Sequence, residues 1–159
     1  MASLPQLIEE DIERLDSELR ELLEKCDATT ALITDRGGFL ITSHGDAPQF
    51  DLTAIAALAS GAYMANQAIA SLVQETSFNS IYQQGEKCSM LVMGVDENCL
   101  LVAIFKAHVS VGAVKYFAVP AAKRIAAQLL VAQERAPGAR LDLSELNLAD
   151  PSVLFKRKT

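Results

Sequence analysis

The amino-acid sequence predicts an α+β domain, a mixed α/β chain whose strands form hairpins instead of alternating with helices. Three observations carry this. Residues 31–34 and 39–42 are apolar runs around the turn Asp35-Arg36-Gly37-Gly38, and residues 89–95 and 99–105 are apolar runs around Asp96-Glu97-Asn98. An alanine-rich helical run lies between the two pairs, from Leu52 to about Gln74. Segments with helical spacing flank the whole. The order is helix, two strands, helix, three strands and a closing helix.

Leu7, Ile8, Ile12, Leu15, Leu19, Leu22 and Leu23 recur at three and four residues, which predicts an amphipathic helix over about residues 5–25 with a solvated acidic outer face. Gly37 and Gly38 supply the positive backbone angles a short hairpin loop needs, so the first two strands are antiparallel neighbours. Residues 43–51 form a loop, and Asp51 is placed to cap the next helix. On that helix Ile55, Leu58, Ala62, Ala65, Ile69 and Leu72 line up as the face expected to cover the sheet. Thr53, Ala57, Ser60, Met64, Gln67 and Ser71 lie opposite, with Ala56, Tyr63 and Ala70 at the margin. No Asp, Glu, Lys or Arg occurs from Thr53 to Gln74, and an exposed helix normally carries charge, so a partner helix is expected on the outer face.

Residues 78–82 read as a short edge strand before the turn at residues 84–87. The next two strands are apolar on both faces, as in the centre of a sheet. Val114, Phe117, Ala121, Ile125, Leu129 and Ala132 keep helical spacing through Pro120, so the last helix either kinks there or starts there. The expected division is residues 1–28 as an N-terminal helix belonging to the domain, 29–135 as the body, and 136–159 as a polar tail ending Lys156-Arg157-Lys158.

A chain of 159 residues with 50% hydrophobic composition suits one domain, and a net charge of -6 argues against nucleic-acid binding. Residues 99–105 are too short to span a bilayer, and residues 111–132 carry Lys115, Lys123 and Arg124, so no membrane insertion is expected. The acidic N-terminal stretch lacks the pattern of a secretory signal, which predicts a cytoplasmic protein. Cys26, Cys88 and Cys99 have no CxxC spacing and read as reduced packing residues. His44 and His108 have no ligand spacing, and no nucleophile signature surrounds Cys88 to make a pair with His108. With no catalytic constellation, metal set or cofactor motif, the chain reads as a binding module and not an enzyme. A small-molecule sensor would need polar groups clustered in an apolar setting, which the sequence does not offer.

Taken together, Ala31-Leu-Ile-Thr-Asp-Arg-Gly-Gly-Phe-Leu, the alanine-rich helix after Asp51, Phe78 through Tyr82-Gln-Gln-Gly-Glu-Lys, and Leu100-Leu-Val-Ala-Ile-Phe resemble the Roadblock (dynein light chain) family over about residues 29–133. They are most similar to its bacterial MglB branch, regulators of a Ras-like polarity GTPase. The resemblance implies a five-stranded antiparallel sheet with the long middle helix on one face and the terminal helices on the other. It implies a homodimer in which middle helices pair and sheets become continuous. The implied partner is a small Ras-like GTPase whose hydrolysis is stimulated, in control of cell polarity or motility. The alternative is a homodimeric scaffold for a GTPase or motor complex with no effect on hydrolysis. Carried onto this sequence, the dimer or GTPase interface is Ala56, Ala57, Ser60, Tyr63, Met64, Gln67 and Ser71. Arg36, at the hairpin tip, is the candidate for an inserted arginine but is expected to be a solvated turn residue, since MglB-like proteins work without one.

Overall fold

The computed structural model describes residues 4–135. The chain runs α1 (Glu9–Cys26), β1 (Ala28–Asp35), β2 (Leu40–Gly45), α2 (Leu52–Leu72), β3 (Ser80–Gln84), β4 (Cys88–Gly94), β5 (Cys99–Lys106) and α3 (Val111–Arg135). The five strands form one sheet in the order β2-β1-β5-β4-β3, antiparallel at every pairing. The expected hairpins and edge strand are all present. β5 lies at the centre, and every residue from Cys99 to Phe105 is buried.

Alternation along the strands sorts the core into two layers. Ala31, Ile33, Leu91, Met93, Leu101, Ala103 and Phe105 point to one face, where Leu15, Leu19 and Leu22 of α1 and Val114, Ala118, Ile125 and Leu129 of α3 cover them. Leu32, Val92, Leu100, Val102 and Ile104 point to the other, against Ala56, Ala59 and Tyr63 of α2. One long helix thus faces two terminal helices across the sheet.

Three local features differ from the sequence reading. α1 begins at Glu9, four residues later than expected, because the Asp11 carboxylate takes the Ile8 amide at 2.9 Å and fixes the first turn there. β1 and β2 extend beyond the apolar runs into polar residues, down to Ala28 and out to Gly45. α3 starts at Val111 and continues through Pro120, which rules out a start at Pro120. Pro120 and Tyr116, the residue whose carbonyl loses its helical donor, are both exposed, so water can satisfy that group.

α2 starts where expected, with the Asp51 carboxylate accepting from the Ala54 amide at 3.1 Å. The 136–159 tail lies outside the described residues.

Candidate functional site

The buried face of α2 is rotated about the helix axis relative to the sequence reading. Ala56, Ala59, Ser60, Tyr63 and Ala70 are buried against the sheet, whereas Leu58, Ala65, Ile69 and Leu72, expected there, are exposed. Leu58 is 74% exposed and Leu72 83%, with Met64 at 50% beside them. The reason is steric: small Ala and Ser side chains let the helix axis approach the sheet closely, so the larger aliphatic residues are turned outward. The outer face is therefore not merely uncharged. It is a stripe of large apolar side chains along a helix of 21 residues, about 30 Å in length.

Of the seven residues assigned to an interface, Ala57, Met64 and Ser71 lie on this exposed side. Ala56, Ser60 and Tyr63 are buried within the chain's own fold, so these three are corrected to interior positions, and Gln67 is half-buried. Gly38 brings the hairpin turn against the same helix, since a Cβ on Gly38 would lie 2.9 Å from the Ala57 Cα. The neighbouring Phe39 projects from the turn and is 75% exposed, an apolar group that the sequence pattern places in a strand and not on a surface.

Ser60, Tyr63 and Gln67 instead serve a polar row under the helix. The Ser60 hydroxyl donates to the Arg36 carbonyl. The Arg36 guanidinium lies 5.3 Å from the Tyr63 ring centroid, and its Nε and Nη2 donate to the Asp96 carbonyl at 3.2 and 2.7 Å. Its own amide donates to the Asn98 carbonyl at 2.8 Å. Further along, Gln67 Nε2 and the Tyr63 hydroxyl donate to the Phe78 carbonyl at 2.6 and 3.4 Å. Arg36 is thus half-buried and anchored, not the solvated turn residue the sequence suggested. A guanidinium held this way is also not free to reach into a partner.

Asp11, in the first turn of α1, is fully enclosed. Arg135 grips it with Nη1 and Nη2 at 2.8 and 3.0 Å, and Gln128 Nε2 adds a bond at 2.7 Å. The Arg135 hydrogen bonds outweigh burial and hold its carboxyl well below the ordinary aspartate range. Only the Asp11 spacing to Ile8 hinted at a cap; its partners on α3 are 117 and 124 residues away. Burial pushes the Cys99 thiol up to about 12, with the Asp96 and Asp35 carboxylates adding to the effect, so it is a packing group. Cys26 is also buried, but Cys88 is exposed at the start of β4 and is not the packing residue expected. No hydrogen bond joins Cys88 to His108 among the described residues.

No cluster of His, Cys, Asp and Glu among the described residues could hold a metal ion, and no helix there is long and apolar enough to cross a membrane. A depression on the terminal-helix face, about 340 Å³, is an open crease between α1 and α3 lined by Arg14, Glu18, Arg124, Gln128 and Val131. Converging donors around an enclosed apolar volume, the mark of a small-ligand site, are not found in it. The arrangement leaves an apolar face exposed on α2.

Residues 15–105 match the sequence model of the Roadblock/LC7 domain. No curated protein sequence matches the chain. Among solved structures, an MglB with a tetrameric arrangement superposes with a TM-score of 0.77 at 30% identity, over 83% of this chain and 99% of that one. The gliding protein MglB from Thermus thermophilus gives 0.75 at 30% identity, over 82% and 99%. Myxococcus xanthus MglB gives 0.74 at 25% identity, over 80% and 96%.

Proposed function

The chain belongs to the Roadblock/LC7 domain family, and from that premise we propose that it is a homodimeric, non-catalytic regulator that binds a small Ras-like GTPase and speeds its GTP hydrolysis. A regulatory or adaptor role goes with the family. The observation that supports self-association is the exposed apolar stripe of Leu58, Met64, Ile69 and Leu72 on α2. An isologous contact covers the same patch on both copies, which removes most of that surface from water in one step. The relative with a tetrameric arrangement is in keeping with assembly from copies of one chain. Ala57, Met64 and Ser71 remain the proposed contacts from the sequence reading, joined by Leu58, Ile69 and Leu72. The GTPase is taken from the likeness to MglB, and with it a place in cell polarity or gliding in the cytoplasm.

The anchored Arg36 favours acceleration by ordering the GTPase switch loops over insertion of an arginine. Ordering worth about 100-fold in rate needs ~2.7 kcal/mol, whereas an inserted arginine supplies ~10³- to 10⁵-fold. All reacting groups then belong to the GTPase. The test is capture of GTPases from the source cell loaded with GTP or GDP, followed by hydrolysis with saturating regulator. Selective capture of the GTP form is expected because the γ-phosphate orders the switch loops. A rate unchanged by the regulator would indicate a scaffold, and no state preference would overturn the proposed mode of binding.

A further inference from the structure

Ser60, Tyr63 and Gln67 fall at i, i+3 and i+7, one side of a helix, and each directs its polar atom to a different part of the chain. Ser60 holds the β1–β2 turn through the Arg36 carbonyl. Tyr63 packs beneath the Arg36 guanidinium, which in turn holds the β4–β5 turn through the Asp96 carbonyl. Gln67 and the Tyr63 hydroxyl hold the Phe78 carbonyl, just ahead of β3. The end of β4 is fitted to the same row, because a Cβ on Gly94 would lie 2.8 Å from the Tyr63 hydroxyl and 3.6 Å from Arg36 Nη2. Apolar residues would cover the sheet as well as these do, and without any need for partners. Buried polar groups that are all satisfied fix one arrangement of the elements they join, since any slippage leaves a donor or acceptor unpaired.

We propose that this row is a strut linking the outer face of α2 to the β4–β5 turn and to the segment entering β3, with Arg36 as its positioning residue, so that a second copy of this chain seated on α2 resets both. The proposal rests on the reading of that face as the docking face. A helix moves as a rigid body, and a shift under a docked partner displaces Ser60, Tyr63 and Gln67 together. Arg36 reaches the β4–β5 turn and not residues 78–81, but the Gly94 amide donates to the Asn79 carbonyl at 3.3 Å, so the two segments are also joined directly. The path through α2 is told apart from that direct bond by a perturbation applied on the outer face of α2.

The test is hydrogen exchange on the full chain, followed at residues 94–99, at residues 78–81 and at the β5 core. Arg36→Lys keeps the charge but loses the paired bonds to Asp96 and the planar stacking on Tyr63. It should speed exchange about tenfold or more at both loop segments while the β5 core is unchanged, as expected for local and not global opening. Tyr63→Phe removes only the hydroxyl and should speed both segments less; it decides the matter if Arg36→Lys does not fold. Acceleration confined to residues 94–99, or spread equally into the β5 core, overturns the strut. Leu58→Glu should alter exchange at residues 94–99 in the parent chain and not in the Arg36→Lys background; an equal response in both also overturns it. If Leu58→Glu leaves the molecular mass unchanged, the docking face is wrong, while the Arg36→Lys comparison still judges the strut.

Discussion

Replacing Leu58 by glutamate puts a carboxylate at the N-terminal end of the exposed stripe on α2, where the leucine is 74% exposed in the single chain. The fold itself should tolerate it, because nothing of the internal core depends on that side chain. Full burial of a leucine contributes about 1.5–3 kcal/mol. In an isologous contact each substitution counts twice, so with incomplete burial the loss is about 2–4 kcal/mol, or roughly 30- to 700-fold in the dissociation constant. Enclosing a carboxylate without a partner in each half of the contact adds to the loss. Light scattering at a few concentrations should show the parent as a dimer or larger assembly and Leu58→Glu as a monomer with the same circular dichroism. Lys123→Glu, on an exposed position of α3 across the sheet, is the control and should leave the mass unchanged. A parent chain that is monomeric at tens of micromolar, the weak end of specific association, or a Leu58→Glu chain of unaltered mass, would refute the reasoning.

Three further outcomes follow from other parts of the fold. Arg135→Met leaves the enclosed Asp11 carboxylate without its cation, so the urea midpoint should fall near pH 7. Because the Asp11 pKa is depressed in the folded chain, its contribution is present above the unfolded value and is lost as pH falls through the folded one, so the gap between parent and variant should narrow near pH 3. Gly38→Ala, at φ +93 with Ala57 of α2 in the way, should destabilise the chain by about 1–3 kcal/mol in denaturant titrations; a neutral effect would mean that the turn does not fit against α2 as described. Ending the chain before Pro151 should keep the melting temperature while weakening partner binding more at low salt than at high salt, since Lys156, Arg157 and Lys158 act by screened charge; a large fall in melting temperature would make Leu154 and Phe155 structural.

What could be read from the chain divides along a physical line. Hairpins announce themselves locally: Gly37-Gly38 and Asp96-Glu97-Asn98 reverse the chain within a few residues, and the apolar strands around them alternate or run continuously according to depth. The cap at Asp51 is equally local. The faces of α2 were misjudged because periodicity assumes that the largest apolar residues point inward, and here Leu58, Ile69 and Leu72 point away from the sheet. The lack of charge on the helix still pointed to a covered outer face, so that expectation rested on composition and not on the face assignment. The enclosed Asp11 and the anchored Arg36 escape the sequence because their partners, Arg135 and Asp96, are distant in it. No single-sequence pattern carries such pairings.

The latch between Asp11 and Arg135 also bears on the order in which the molecule is assembled. It joins residues 124 apart, and the α1 face that covers the sheet is completed only when α3 lies beside it. During synthesis α1 can pack on the β1–β2 hairpin that follows it at once, whereas α3 is made only after the whole sheet. Closing so distant a contact is slow compared with forming the local hairpins, so the side of α1 that meets α3 is among the last parts of the domain to be covered. Until then Asp11 stands without Arg135, and that side of α1 is open to other surfaces nearby, including the same side of another nascent chain.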